Sequence, residues 1–578
     1  MQKTEGQIGF TIPIQTLTTT QEVAMTPTAV MAWQRCLPVD LGQSAKKIYH
    51  AISDCNKVDL PATDRFEILE LIDTSVQYIC QRLEQHYINE PTGLTPQQLT
   101  ITQLAESLQQ KMADGYKLVV EQSTDDKHAL NPMLLPVALY KIIRCFTQIV
   151  LINYERHSIP QKGIWRELHL VYQYAEKKSL LKTNNIEEEY KRVLILAATY
   201  PYQRRQSEQA IVYKATESWS GMVTLQTNFK NTTEPASFVV NLEHDAPPTF
   251  LMRERINFSD TCKILDVHIL LNHLKTLLAS IGPNELQARI SHNQDPEYAV
   301  PAAVLRRIIK AWETPLTRLN NRESENEPVQ ISIGFLATHF YLNEQRPFQA
   351  HLTSGESENF TLTFSTLDLQ ADGTTQDIEN NKILPQTSEI EKITTYPLYP
   401  CTLVDKSPNG YGLVWTHDTY PPMQSGEIIG LAIDDHDQRR WEICAIRWLL
   451  TLTRAHFKIG IERLSKHAEA AAVQLMKDGQ PSGYLARCLI LESTLLTPAF
   501  PFKTGHHVII ISDKKPALEV ELTQLVDSTS VYNQFHYTTH SATDKSPTIP
   551  IPTPTSSAAR PANPETGEDI FDSIWPTL

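Results

Sequence analysis

The stretch CTLVDKSPNGYGLVW, residues 401–415, decides how the second half of the chain is read. Two runs with strand composition, CTLV and YGLVW, flank a polar turn carrying Pro, Asn and Gly. Within it Asp405, Ser407 and Gly410 stand in D-x-S-x-x-G spacing. Asp and Ser side chains fix such a turn through local hydrogen bonds, and a glycine lets another backbone approach closely. The result is a corner suited to an anion and a base edge.

Further short β runs follow at the spacing of a small barrel: GEIIGLAI (426–433), RRWEICAIRWLL (439–450) and HFKIGIERL (456–464). Beyond them a short helix is expected, then a second β group made of LARCLILES, HHVIIIS, ALEVELTQLV and VYNQFHY. Upstream, VQISIGFLATHFYL (329–342) reads as one strand, followed by a polar stretch from about Thr353 to Lys392 that can bury little surface. Just before that strand, TRLNNR supplies Arg318 and Arg322 in R-x-x-x-R spacing. Two guanidiniums so spaced can face one way, pairing with phosphate and stacking on a purine.

Residues 38–212 carry a different period. KVDLPATDRFEILELIDTSVQYICQRLEQHY and TPQQLTITQLAESLQQKMADGYKLVVEQ place apolar residues at three-and-four spacing after helix-start signals. In GIWRELHLVYQYAEKKSL, the spacing of Trp165, Leu168, His169 and Tyr172 resembles the first helix of a tetratricopeptide repeat. MVTLQTNF and ASFVVNL read as strands, whereas KILDVHILLNHLKTLLASI and YAVPAAVLRRIIKAWETPL read as helices. LLPVALYKIIRCFTQIVLINY is the most apolar run, but Lys141 and Arg144 make it a buried helix rather than a membrane span. The N-terminus lacks the pattern of a signal peptide, and the eight scattered cysteines read as reduced thiols of a cytoplasmic protein.

With a net charge of −14, the chain is a poor candidate for a broad phosphate-tracking surface. Twenty glycines in 578 residues leave little for phosphate loops, and G-x-x-x-x-G-K-[ST], H-E-x-x-H, G-x-S-x-G and G-x-G-x-x-G are absent. Neither catalysis nor a metal is therefore expected. His339 and His351 lack a third ligand at useful spacing, and His268 and His273 read as ordinary core or surface imidazoles.

The turn, the arginine pair and the strand order resemble the bacterial PilZ domain over about residues 316–467, including a late glycine-bearing strand at Ile459-Gly460-Ile461. The resemblance implies a β-barrel receptor for cyclic di-GMP. It assigns Arg318 and Arg322 to the phosphates and guanine face, with Asp405, Ser407 and Gly410 at the guanine edges. One departure is the long chain segment between Arg322 and Asp405, which implies an insertion at about 345–395 and leaves a nucleotide-blind scaffold with a degenerate barrel as the alternative.

The expected architecture is α+β and multidomain. A helical bundle or solenoid-like N-terminal domain (1–212) leads through a mixed region (213–315) to the PilZ-like barrel (316–467), a second small β module (468–540) and a disordered tether (541–578). The tether ends in GEDIFDSIWPTL, whose Phe571, Ile574 and Trp575 form an apolar set among acidic residues, a candidate partner-binding peptide. Expected partners are cyclic di-GMP and proteins docking on the helical region and tail, without nucleic acid or cofactor. Receptors of this kind govern motility, pili and biofilm.

Overall fold

The computed structural model describes residues 3–16, 23–88, 94–123, 132–227, 236–251, 261–281, 287–290, 298–313, 323–346, 348, 396–415, 423–435, 438–453, 456–477, 479–513 and 515–539. Arg318, Arg322, Phe571, Ile574 and Trp575 lie outside them, as do the polar stretch and the tether.

A short hairpin, β1 (Lys3–Glu5) with β2 (Thr11–Pro13), precedes eight helices. These are α1 (Pro27–Gln34), α2 (Leu41–Cys55), α3 (Ala62–Glu84), α4 (Pro96–Gln122), α5 (Leu134–Glu155), α6 (Ile164–Lys177), α7 (Ile186–Ala198) and α8 (Gln206–Trp219). Local chemistry sets their starts: Asp40 caps α2, and Thr95 with Gln98 closes a capping box on α4, whose first residue is Pro96. Helix α5 is long and apolar enough to cross a membrane, but here it packs against α4, α6, α7 and α8 in the middle of the helical core. Trp165, Leu168, His169 and Tyr172 all turn inward. Because a carbonyl can only accept, His169 donates through Nε2 to Ala246 (3.1 Å) and accepts the Tyr190 hydroxyl at Nδ1 (2.7 Å). Burial lowers its pKa to about 4, which keeps it neutral.

A small mixed unit shares this core. Strands β3 (Thr224–Gln226), β4 (Ser237–Asn241), β5 (Thr249–Phe250) and β6 (Cys262–Asp266) pair in the order β3-β6-β4-β5. Helix α9 (His268–Ala279), the hairpin β7 (Gln287–Ile290) and β8 (Tyr298–Pro301), and α10 (Ala302–Glu313) follow. Each of the two segments read as wholly helical thus begins as a strand. In the first, KILD pairs with β4, and the Asp266 carboxylate then accepts the His268 amide at the start of α9.

Two closed barrels complete the described residues. The first holds β9 (Glu323–Ile333), β10 (Tyr399–Ser407), β11 (Gly410–Trp415), β12 (Ile428–Asp435), β13 (Gln438–Thr453) and β14 (His456–Ser465). The second holds β15 (Ala468–Lys477), β16 (Gln480–Leu491), β17 (Leu495–Pro498), β18 (His507–Ser512), β19 (Lys515–Ser528) and β20 (Tyr532–Thr539). Numbered within each barrel, both close in the same strand order, 1-2-3-6-5-4. Two expectations need correction. VQISIGFLATHFYL is not one strand: β9 stops at Ile333, Gly334 turns at φ +95°, and Phe335–Leu342 forms helix α11. The helix expected before the second β group is strand β15, because pairing with β16 and β18 overrides the helical preference of AEAAA.

The first barrel docks on the helical domain through main-chain bonds. The Thr451 amide donates to the His157 carbonyl (2.7 Å) and its hydroxyl to the Arg156 carbonyl (3.1 Å). Arg205 Nε donates to the Ser425 carbonyl (3.3 Å), and the side chains of Trp448 and Leu450 join the helical core. The second barrel packs on the first through a shared apolar cluster including Phe335, Ile428, Ile443, Leu489, Leu496 and Tyr532.

Candidate functional site

Strands β10 and β11 are joined by the two-residue loop Pro408-Asn409, with Ser407 opposite Gly410. The Ser407 hydroxyl donates to the Gly410 carbonyl (3.0 Å), so the serine fixes the turn. Gly410 lies so close to the Ile461 carbonyl that no Cβ fits there. Cys401 and Leu403 point into the barrel, and strict alternation would send Asp405 inward as well. A bulge between Leu403 and Asp405, present against both neighbouring strands, prevents this. Asp405 instead comes opposite Gly412 on the outer face, half-buried, its carboxylate lying over the glycine where a Cβ would come within 2.5 Å.

Following the register sideways gives a row across five strands: Ser324, Asp405, Gly412, Gly460 and Trp448. A second bulge, between Ile446 and Trp448, turns Trp448 outward, and its indole covers Gly460. A carboxylate and an indole thus face each other across a floor of two glycines. This row is a property of registers and bulges, and the sequence reading did not find it.

The sequence reading also missed Arg463, which braces the turn from β14. Its amide donates to the Asn409 carbonyl (2.8 Å) and its guanidinium to the Pro408 carbonyl and the Tyr411 hydroxyl (3.0 Å). Tyr411 in turn donates to the Glu442 carboxylate (2.7 Å), which lies 3.6 Å from Arg463. Burial, then Glu442, pushes the Tyr411 hydroxyl pKa up, so it stays a donor. Burial works against the charge on Arg463, but Tyr411 and Glu442 outweigh it and hold its pKa above the ordinary arginine value. The only sequence signal was an arginine within the glycine-bearing strand, three residues after Gly460.

The first strand closes the same corner. Ser324 pairs with Asp405 and Glu323 with Lys406, although a helix and the polar stretch separate β9 from β10 in sequence. Among the described residues no cluster of His, Cys, Asp or Glu is arranged to hold a metal ion.

Three family models match in succession. "Cyclic-di-GMP receptor FimW, N-terminal domain" covers residues 28–231, and "Cyclic-di-GMP receptor FimW, middle PilZ domain" covers 237–382 and 361–470. The chain is a PilZ-domain protein. The "FimW C-terminal beta-barrel domain" model covers residues 471–540, which take in most of the second barrel. The chain is also similar to the cyclic-di-GMP receptor FimW of Pseudomonas aeruginosa, with 24% identity over 628 aligned positions covering 100% of both chains. No solved structure matches. In the PilZ barrel, Asp405, Ser407 and Gly410 therefore occupy one built corner, with the start of β9 beside it.

Proposed function

We propose that this protein is a regulator that binds cyclic di-GMP at the outer corner of its PilZ barrel and relays occupancy to protein partners. The observation carrying this reading is the β9–β10 register: Glu323, the residue that follows Arg322, stands opposite Lys406 in the site strand. Consecutive Cα atoms are about 3.8 Å apart, so the sequence distance between Arg322 and Asp405 does not argue against a shared site. In this reading Arg318 and Arg322 take the phosphates and the guanine face, and Asp405 and Ser407 take guanine edges. Close backbone approach at Gly410 shapes the corner. Each hydrogen bond to a charged group contributes about 1.5–3 kcal/mol, so a few reach the roughly 8 kcal/mol of a micromolar ligand.

Binding rather than catalysis is the role, and no cofactor enters it. The relay follows from where the barrel is fastened. Trp448 ends the site's row and packs in the helical core, so ordering of the corner shifts the balance between arrangements of barrel and helices. Control of motility, pili or biofilm, the helical region and residues 567–578 as partner surfaces, and a cytoplasmic location belong to the same proposal.

Calorimetry with cyclic di-GMP tests it on the wild type and on Arg318→Ala/Arg322→Ala. Saturable binding to the wild type and its loss in the double variant are expected. A wild type that binds nothing removes the receptor reading in favour of a scaffold.

A further inference from the structure

Helix α5 ends on a buried carboxyl that has no cationic partner among the described residues. Glu155, its last residue, is 2% exposed; its Oε2 accepts the Tyr87 hydroxyl (3.2 Å), while Oε1 has no partner among the described residues. It faces a cleft of about 100 Å³ between α3, α4 and α5, walled on one side by Leu151 and Ile152. Gln109, 1% exposed, lines the same cleft; its amide nitrogen is turned to Cys80 Sγ (3.5 Å), and its carbonyl oxygen is also unpartnered. Glu84 adds a second carboxyl. Burial raises the pKa of both carboxyls, and among the described residues no lysine or arginine offsets it for either.

Two buried acceptors without donors thus converge with a second carboxyl on one small space. Such groups cost free energy unless a donor satisfies them, and buried carboxylates call for positive charge. Water supplies donors without charge. A primary ammonium supplies both, with three N–H donors on one compact cation and a stem that suits an apolar wall. We propose that this cleft binds a small primary amine, its ammonium shared by Glu155, Gln109 and Glu84 and its alkyl stem against Leu151 and Ile152.

The site's place in the fold gives the binding a consequence. Glu155 directly precedes Arg156 and His157, whose carbonyls hold Thr451 of the PilZ barrel. An ammonium drawn onto Glu155 therefore acts at the joint between helical domain and barrel.

The test is calorimetry on the full chain with n-propylammonium chloride. Tetramethylammonium, equal in charge but without N–H donors, is the control. Saturable binding of propylammonium alone is expected. Glu155→Gln should weaken it roughly tenfold or more, and Leu151→Phe, which fills the cleft and keeps both carboxyls, should abolish it. Glu155→Gln is nearly isosteric with the protonated carboxyl and is expected to fold, which circular dichroism checks, so the test stands even if the larger side chain is not tolerated. No saturable binding to the wild type, equal binding of tetramethylammonium, or undiminished affinity in folded Glu155→Gln overturns the proposal.

Discussion

The two barrels are wound alike, yet they put the same face to different uses. In the first, the row from the second strand to the fifth reads Asp405, Gly412, Gly460, Trp448. The matching row of the second reads Leu489, Leu496, Gln534, Asp527, and even the bulge before Trp448 recurs before Asp527. Where the first barrel has a carboxylate beside a glycine floor, the second has two leucines packed into the cluster between the barrels. It also lacks the bulge that turns Asp405 outward, since Leu489 already faces out by simple alternation. One barrel covers two glycines on this face with a carboxylate and an indole, whereas the other closes it with leucines. The shared winding therefore says nothing about ligand binding, because the two barrels carry different side chains on the matching row.

Making the first barrel resemble the second should have the largest effect. Asp405→Ala/Ser407→Ala is expected to weaken cyclic di-GMP binding roughly hundredfold or more, since two contacts of about 1.5–3 kcal/mol are lost. Titration calorimetry measures this, and an unchanged affinity would separate the corner from the ligand. The converse change, Leu489→Asp, places an unpaired carboxylate in the cluster between the barrels, where the leucine is 0% exposed. A loss of about 3–5 kcal/mol on denaturant unfolding is expected, with no gain of nucleotide binding.

Gly460→Ala comes next. A methyl there collides with the Trp448 indole, so about 1–3 kcal/mol should be lost, together with a shift in tryptophan fluorescence as the indole is displaced. The smallest effect concerns Arg447, which reaches Glu462 in its own barrel (2.5 Å) and Asp527 in the other (2.7 Å). Arg447→Ala should cost about 1 kcal/mol, because the pair is partly solvated. It should also change the acid response. Burial alone would raise the Asp527 pKa, but Arg447 and the Tyr532 hydroxyl outweigh burial and hold it below the ordinary value. A depressed folded pKa stabilises the protein above the unfolded value of about 3.9, and that stability is lost as pH falls through the lower folded value. Urea midpoints below pH 4 should therefore fall less steeply in the variant than in the wild type.

Much of the architecture was legible because it is local. Capping chemistry at Thr95 and Gln98, the apolar face of α6 and the polar hairpin at Pro408-Asn409 each act within a few residues. What failed did so where partners distant in sequence decide. AEAAA has helical propensity but becomes β15 because neighbouring strands need its backbone. KILD reads as the start of a helix until β4 pairs with it. Arg463, which braces the turn, carries no motif; its role arises only because β14 closes the barrel beside β11.

The sequence by itself determined the residue types of the corner: Asp405 and Ser407 to offer hydrogen bonds, and Gly410 to admit the Ile461 carbonyl. It could not determine where they face. Alternation along β10 sends Asp405 to the core, and only a bulge against two partner strands brings it out over Gly412. Nor could it join β9 to β10 across the intervening helix and polar stretch, because strand pairing depends on register and closure rather than on distance along the chain.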